Sequence, residues 1–380
     1  MKKILLGTTA IIALATVSTE AFAAEKVKIG ISGVMSQFVG LTNHDEVAAT
    51  GNNTARKVKL QQWDRSRLQF SGTTTLDNGL AVKVYVQSGA SKNGGFSGAE
   101  DQNGGIRQSY AEISSDTMGA FTIGKTTHAG NDMRVAAPNA GIFDFGDTNQ
   151  FAGVSDAAGT ASTAYTDASA VDVTGMGGRD GKLKYVSPSF SGFTVFGSYS
   201  VAEGTGFSTA TASTADRNAA NDGSTFGVAY SGEVSGAAIS ADLTQLRVNG
   251  SYEQTHVGVN VGMAGFTVGG GYANMNDDTG VSGPNDGTAW EFGVGYETGP
   301  YSLSAGYMTS KSRGTVAAAG DNKDKKYLVA GAYDLGAGVK ATATYFNSKS
   351  DPENTGAAAT FATGKSAKVS GVLAGIQVSF

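Results

Sequence analysis

From residue 26 onward the chain alternates apolar and polar positions with a period of two, the spacing of a β-strand with one greasy and one wet face. Between 301 and 307, Tyr301, Leu303, Ala305 and Tyr307 alternate with Ser302, Ser304 and Gly306. Trp290, Phe292, Val294 and Tyr296 alternate with Glu291, Gly293, Gly295 and Glu297, and Leu80, Val82, Val84 and Val86 with Ala81, Lys83, Tyr85 and Gln87. The same parity sets Val257, Val259, Val261 and Met263 against Gly258, Asn260 and Gly262. Sixteen segments carry such patterns: 27 to 39, 63 to 76, 80 to 89, 106 to 115, 120 to 127, 181 to 188, 193 to 202, 225 to 231, 237 to 246, 255 to 263, 266 to 275, 289 to 297, 301 to 310, 325 to 334, 338 to 347 and 367 to 380.

Their connections alternate as well. Tight turns such as Asp77-Asn78-Gly79, Ala264-Gly265 and Thr298-Gly299-Pro300 interleave with long polar loops at 40 to 62, 90 to 105, 203 to 224 and 348 to 366. Asn-Gly is a strong hairpin signal. An even number of antiparallel strands with short turns at one end and long loops at the other is the layout of a transmembrane β-barrel. In hydrocarbon every backbone N–H and C=O needs a partner, so a sheet spans only by closing on itself. Alternation alone fits a soluble sandwich equally well, with its greasy faces packed together. Bulk and aromatics favour the barrel. The wet face is largely Gly, Ser, Thr, Asn, Lys and Arg, and aromatics fall where interfacial girdles would lie. These are Phe193, Tyr230, Phe266, Tyr296 and Tyr301 beside short turns, and Tyr199, Tyr272, Tyr307 and Tyr345 beside long loops.

Composition narrows the compartment. Of 380 residues 55 are Gly, 5 Pro and none Cys, so disulfides, zinc-thiolate sites and cysteine nucleophiles are excluded. The net charge of −5 argues against a nucleic-acid partner, and a mean hydropathy of −0.14 is too polar for a helical membrane bundle. Residues 1–23 read as a secretory signal: Lys2 and Lys3, an apolar stretch from Ile11 to Val17, and Ala21-Phe22-Ala23 as the cleavage pattern. Residues 24–380 are expected to form one barrel domain. Setting aside Lys2, Lys3 and Glu20 leaves 26 bases and 32 acids, a charge of −6.

In the last segment Val372, Ala374, Ile376, Val378 and Phe380 share one face, opposite Gly371, Leu373, Gly375, Gln377 and Ser379. With the signal segment and the Arg-Gln-Ser-Tyr run at Arg107 to Tyr110, the chain resembles the general diffusion porins of Gram-negative bacteria, especially those of alphaproteobacteria. The resemblance covers the whole mature chain. It implies a sixteen-stranded barrel that assembles as a homotrimer in the outer membrane, with an inward-folded third loop. It also implies that Phe380 is part of the signal read by the outer-membrane assembly machinery.

The longest irregular stretch, about 127–180, stands in the position of that third loop. It carries Asp132, Asp144, Asp147, Asp156, Asp167, Asp172 and Asp180 against Arg134 and Arg179, a charge of −5. Parity sets the opposite sign on the neighbouring wet faces: Arg65 and Arg67 with Gln69, Lys83 with Tyr85 and Gln87, Arg107 with Ser109, and Lys182 with Lys184. These six bases are expected to line one arc of the pore, facing the acidic loop. A transverse field in a narrow passage orients dipolar solutes and penalises apolar ones. Asp144 and Asp147, in Gly141-Ile-Phe-Asp-Phe-Gly-Asp147, resemble the aromatic-acidic run of porin constriction segments. Asp132 and Arg134 begin the same loop. The net charge tilts the channel towards cations.

Enzymatic chemistry finds no footing. His44, His128 and His256 are isolated, and HExxH and Gly-x-Ser-x-Gly contexts are absent. Gly364-Lys365-Ser366 lacks the first glycine of a phosphate-binding loop, since Ala359 stands there. Glu291 and Glu297 are too far apart along a strand for acid/base pairing. No cofactor is required, although Asn276-Asp277-Asp278 and Asp321 to Asp324 offer oxygen ligands for Ca²⁺ in outer loops. The expected function is passive diffusion of small hydrophilic solutes and ions, without turnover and with outer-membrane lipid as the surrounding partner. A secreted or surface-layer β-rich adhesin would share the composition, but would need neither a terminal Phe on an apolar face nor alternating connection lengths.

Overall fold

A sheet whose outer face meets hydrocarbon must leave no unpaired edge, and in the computed structural model the first and last long strands meet. The structure describes residues 26–44, 58–91, 105–146, 154–155, 161–162, 179–200, 222–248, 252–277, 287–312, 321–351 and 367–380. The first strands are β1 (Gly30–His44), β2 (Val58–Thr75), β3 (Ala81–Gly89), β4 (Ile106–Ser115) and β5 (Gly119–Thr126). A short helix α1 (Ala129–Met133) and two two-residue strands, β6 (Val154–Ser155) and β7 (Ala161–Ser162), follow. Then come β8 (Asp180–Val186), β9 (Phe193–Ser200), β10 (Gly223–Val234), β11 (Ala237–Val248), β12 (Tyr252–Met263) and β13 (Phe266–Asp277). The last are β14 (Gly287–Thr298), β15 (Tyr301–Ser312), β16 (Asn322–Gly336), β17 (Val339–Asp351) and β18 (Ala367–Ser379). Apart from β6 and β7, which pair with each other, each strand lies antiparallel beside its sequence neighbours, and β1 pairs with β18 to close a sixteen-stranded barrel.

The described strands reach further towards the long-loop end than the periodicity indicates. β1 runs to His44, β2 begins at Val58 and β17 ends at Asp351. On β17 the outward positions turn polar at Lys349 and Asp351 while backbone pairing continues, whereas on β1 and β2 exposed Leu41, Val58 and Leu60 carry the apolar outer face further towards the loops. At the other end, four turns place a non-glycine residue and then a glycine at positive φ: Ser191-Gly192, Ser235-Gly236, Ala264-Gly265 and Ala337-Gly338. That is the backbone of a type I′ turn, whose twist matches the strands it joins.

Faces follow parity. Val257, Val259 and Val261 are exposed on the outside, while Gln254 and His256 of the same strand are buried inside. Aromatic pairs flank the apolar band. Phe193–Tyr230, Phe266–Tyr296 and Tyr301–Tyr333 have ring centroids 4.4–4.9 Å apart near the short turns. Trp290–Tyr307 and Tyr307–Tyr327 lie 5.3 and 4.8 Å apart towards the loops. The ring of Phe380 points outward, and its backbone exchanges both hydrogen bonds with Gly33, at 2.8 and 3.1 Å, across the closure.

The inner face departs from the expected polar lining. Phe38, Trp63, Met308, Leu328, Phe346 and Leu373 form a buried apolar patch on the inner side of β1, β2 and β15–β18, and Phe143 and Phe145 pack onto it. An uncovered patch of that kind would face water. Burying a phenylalanine side chain contributes roughly 1.5–3 kcal/mol, which gives the segment carrying these two rings a reason to lie inside.

Candidate functional site

The chain between β5 and residue 146 is tied to the inner wall strand by strand. His128 is buried, its Nδ1 3.0 Å from Ser198 Oγ of β9, and the Ala129 N–H donates to the same oxygen at 3.1 Å. The Val135 N–H donates to Asp242 Oδ1 of β11 at 2.8 Å, and Asn260 Nδ2 of β12 donates to the Ala136 carbonyl at 3.0 Å. The Ala137 N–H donates to Glu291 Oε1 of β14 at 2.6 Å and the Ala140 N–H to Ser304 Oγ of β15 at 2.9 Å. Lys326 Nζ of β16 donates to the Phe145 carbonyl at 3.1 Å, and the Phe143 ring meets Phe38 of β1 edge-on at 4.7 Å. These residues therefore run along the inner surface from β9 round to β1. The stretch from 127 is not wholly irregular, since it holds α1 and the β6/β7 pair.

Two wall acids serve as acceptors for the segment's backbone, where an unpaired buried N–H would cost about 1–3 kcal/mol. Asp242 is itself held, accepting from Thr244 Oγ1 at 2.8 Å with Oδ2 2.9 Å from Nδ1 of the buried His256. Gly258 makes room for the crossing: a Cβ there would run into the Val135 carbonyl.

The six anticipated bases fall on β2, β3, β4 and β8. Arg65 and Arg67 stand opposite Ser36 and Val34 of β1 on the inner face. The Lys83 ammonium lies 5.6 and 5.8 Å from the ring centres of Tyr85 and Tyr110, and the Lys184 ammonium 5.9 Å from that of Tyr110. Lys182 and Lys184 are buried, opposite Gly124 and Thr122 of β5. Arg107 requires a correction, because it does not share a face with Ser109. Ser109 pairs with Val86 on the outer face. The register of β3 and β4 shifts between Gln87 and Ser88, leaving Arg107 as an extra residue, and its Nε donates to Gln87 Oε1 at 3.2 Å. A bulge re-aims a side chain against simple alternation. Arg107 is accordingly buried on the inner side, 3% exposed.

Asp132 does not stand across the lumen from the bases. Its Oδ2 lies 2.7 Å from Lys184 Nζ, and its Oδ1 accepts from Thr127 Oγ1 at 2.6 Å. Arg134 and Asp144 share a cavity of about 250 Å³ between the segment and β14–β16, lined also by Asn139, Phe145, Glu291 and Ser304. Asp147, Asp156, Asp167 and Asp172 lie outside the described residues, as do residues 1–23. Of the Ca²⁺ candidates, Asp278 lies outside them too, while Asp324 is buried and Asp321 Oδ2 is 3.9 Å from Lys311 Nζ, so these two carboxylates do not converge. Among the described residues no three His, Cys, Asp or Glu side chains gather at a metal-binding distance.

Asp242, Glu291, Ser304 and Lys326 went unnoticed as partners of the segment, although parity sets each on the wet face. Their role depends on a chain that crosses several strands, and spacing along one strand carries no trace of it.

A family model described as Gram-negative porin matches residues 8–353. No curated protein matches the sequence. Among solved structures, the trimer form of in-vitro folded OmpT, an outer membrane protein of Vibrio cholerae, aligns with a TM-score of 0.59 at 13% identity, covering 94% of this chain and 100% of that one. The outer membrane channel DcaP of Acinetobacter baumannii aligns at 0.57 and 16% identity over 97% and 100%. An anion-selective porin from Comamonas acidovorans aligns at 0.55 and 16% over 93% and 100%.

Proposed function

The chain belongs to the Gram-negative porin family and forms an outer-membrane diffusion channel, and from that premise we propose that residues 127–180 narrow its lumen and set its selectivity. The observation that carries this is the line of hydrogen bonds from Val135 to Phe145 along β11–β16, on a different arc of the barrel from the bases of β2, β3, β4 and β8. A solute passing between the two arcs meets Arg65, Arg67 and Lys83 on one side and Asp144 on the other, while the buried Arg107, Lys182 and Lys184 act on it through their charge; Asp147 follows three residues after Asp144 in the same acidic run. Charges in a narrow passage with low-dielectric walls act strongly on ions and dipoles. Passage needs no cofactor and no turnover. Residues 1–23 direct export and are removed, and the mature barrel assembles as a homotrimer.

Planar-bilayer recording under a salt gradient tests the assignment. Replacing Asp144 and Asp147 with Asn should move the reversal potential towards anions, and Arg65→Gln with Arg67→Gln should move it towards cations. An unchanged reversal potential in both double variants would remove these residues from the narrow section. Absence of conductance from folded wild-type protein would instead overturn the channel itself.

A further inference from the structure

Between its anchors the chain from Arg134 to Phe145 stands off the wall and leaves a cavity of about 250 Å³ against β14–β16. Sites for drug-sized ligands measure roughly 300–1,000 Å³, so a fitting occupant is small. The cavity is shaped from both sides. Asn139 braces the turn, its Nδ2 donating to the Phe143 carbonyl at 2.7 Å and its Oδ1 accepting from the Gly141 N–H at 2.9 Å. On the wall Gly306 lets the Phe145 ring rest close by, since a Cβ there would come within 3.0 Å of it. A cavity preorganised in this way loses little to ordering when it is filled.

The lining carries both signs of charge. Arg134 contributes its guanidinium, Asp144 and Glu291 contribute carboxylates, and Phe145 and Leu328 are apolar. Arg134 Nε and Nη1 are shielded from solvent and have no hydrogen-bond partner among the described residues. Such a state is costly, because a charged donor has lost its water and gained nothing in return. A carboxylate is the anion that a planar guanidinium receives best, on two parallel N–H bonds. A simple anion would satisfy Arg134 but would share a small space with Asp144 and Glu291. A molecule with an ammonium group beside its carboxylate meets both requirements, and Phe145 and Leu328 suit a short apolar side chain.

We infer that this cavity binds a free α-amino acid with a small side chain, its carboxylate on Arg134 and its ammonium directed to Asp144 and Glu291. The inference rests on the channel reading above, because the solute arrives through the lumen. Binding of this kind lets the barrel discriminate among solutes of equal size by their pattern of charge and not by net charge alone.

The test uses the mature barrel folded in detergent, with L-alanine as the probe and propionate and ethylamine as analogues that each lack one of its charges. Binding is read by titration with saturation-transfer NMR, folding by heat-modifiable gel migration and conductance by planar-bilayer recording. L-alanine should bind wild-type protein about ten- to a hundredfold more tightly than either analogue, the factor for one charge-assisted contact. Arg134→Gln should weaken L-alanine binding by about the same ten- to a hundredfold and leave ethylamine binding as it was. If that variant does not fold, the comparison of ligands on wild-type protein decides alone. Propionate binding as tightly as L-alanine would overturn the inference, as would equal L-alanine binding by wild type and folded Arg134→Gln. A conducting barrel that does not bind L-alanine would overturn the site and leave the channel reading intact. Folded protein that binds L-alanine in this pattern but does not conduct would support the site and overturn the channel reading instead.

Discussion

Gly258 lies where the segment crosses β12, and a side chain there would meet the Val135 carbonyl. Gly258→Val should therefore lift residues 134–137 off the wall and into the lumen, at a cost of about 1–3 kcal/mol for overpacking. The expected readout is a smaller unitary conductance from a barrel whose heat-modifiable migration is unchanged. Ala264 shows the opposite situation: its φ of 52° in a type I′ turn is strained for alanine and easy for asparagine. Ala264→Asn should stabilise the barrel by up to about 1 kcal/mol, visible as a higher midpoint of unfolding in urea. Glycine-rich spacing was legible in the sequence at both positions, but whether a glycine serves a turn, a strand crossing or neither depends on what approaches it. Arg107 makes the same point with charge: it lies on the inner side, as alternation placed it, but a bulge sets it there beside Gln87 while Ser109 faces outward.

At the scale of elements, residues 128–146 are held by two unlike forces, backbone hydrogen bonds to wall side chains and the burial of Phe143 and Phe145. Removing either anchor should loosen the segment without opening the barrel, because strand pairing does not pass through it. Phe143→Ala should cost about 3–5 kcal/mol of local stability and replace steady current levels by frequent transitions in single-channel traces. Asp242→Ala leaves the Val135 N–H and Thr244 hydroxyl without their acceptor, a penalty of about 1–3 kcal/mol for each orphaned group, and should produce the same noise. Quiet traces from both variants would mean that the segment does not depend on these anchors. The aromatic-acidic run from Gly141 to Asp147 drew attention to this stretch in the sequence. Its apolar partners Phe38, Met308, Leu328 and Phe346 did not, because single apolar residues on a wet face look like exceptions until the strands are closed into a wall.

For the whole molecule, closure joins β1 to β18 and leaves the terminal Phe380 ring outward, with its backbone paired to Gly33. Phe380→Ala keeps the backbone pairing, so the barrel refolded in detergent should still show heat-modifiable migration. If the side chain is also an assembly signal, its level in the outer membrane of expressing cells should fall severalfold. Equal levels would confine Phe380 to closing the sheet. The sixteen strands, their two faces, the turn end and the loop end were all determined by the sequence, because period-two alternation and turn residues are local properties that each segment carries alone. Tertiary structure decided the rest: the apolar patch under Phe143 and Phe145, the acids that receive the segment's N–H groups, and the bulge that parts Arg107 from the face of Ser109. Each depends on register between strands or on a chain crossing many of them, and only the closed barrel brings such distant residues into contact.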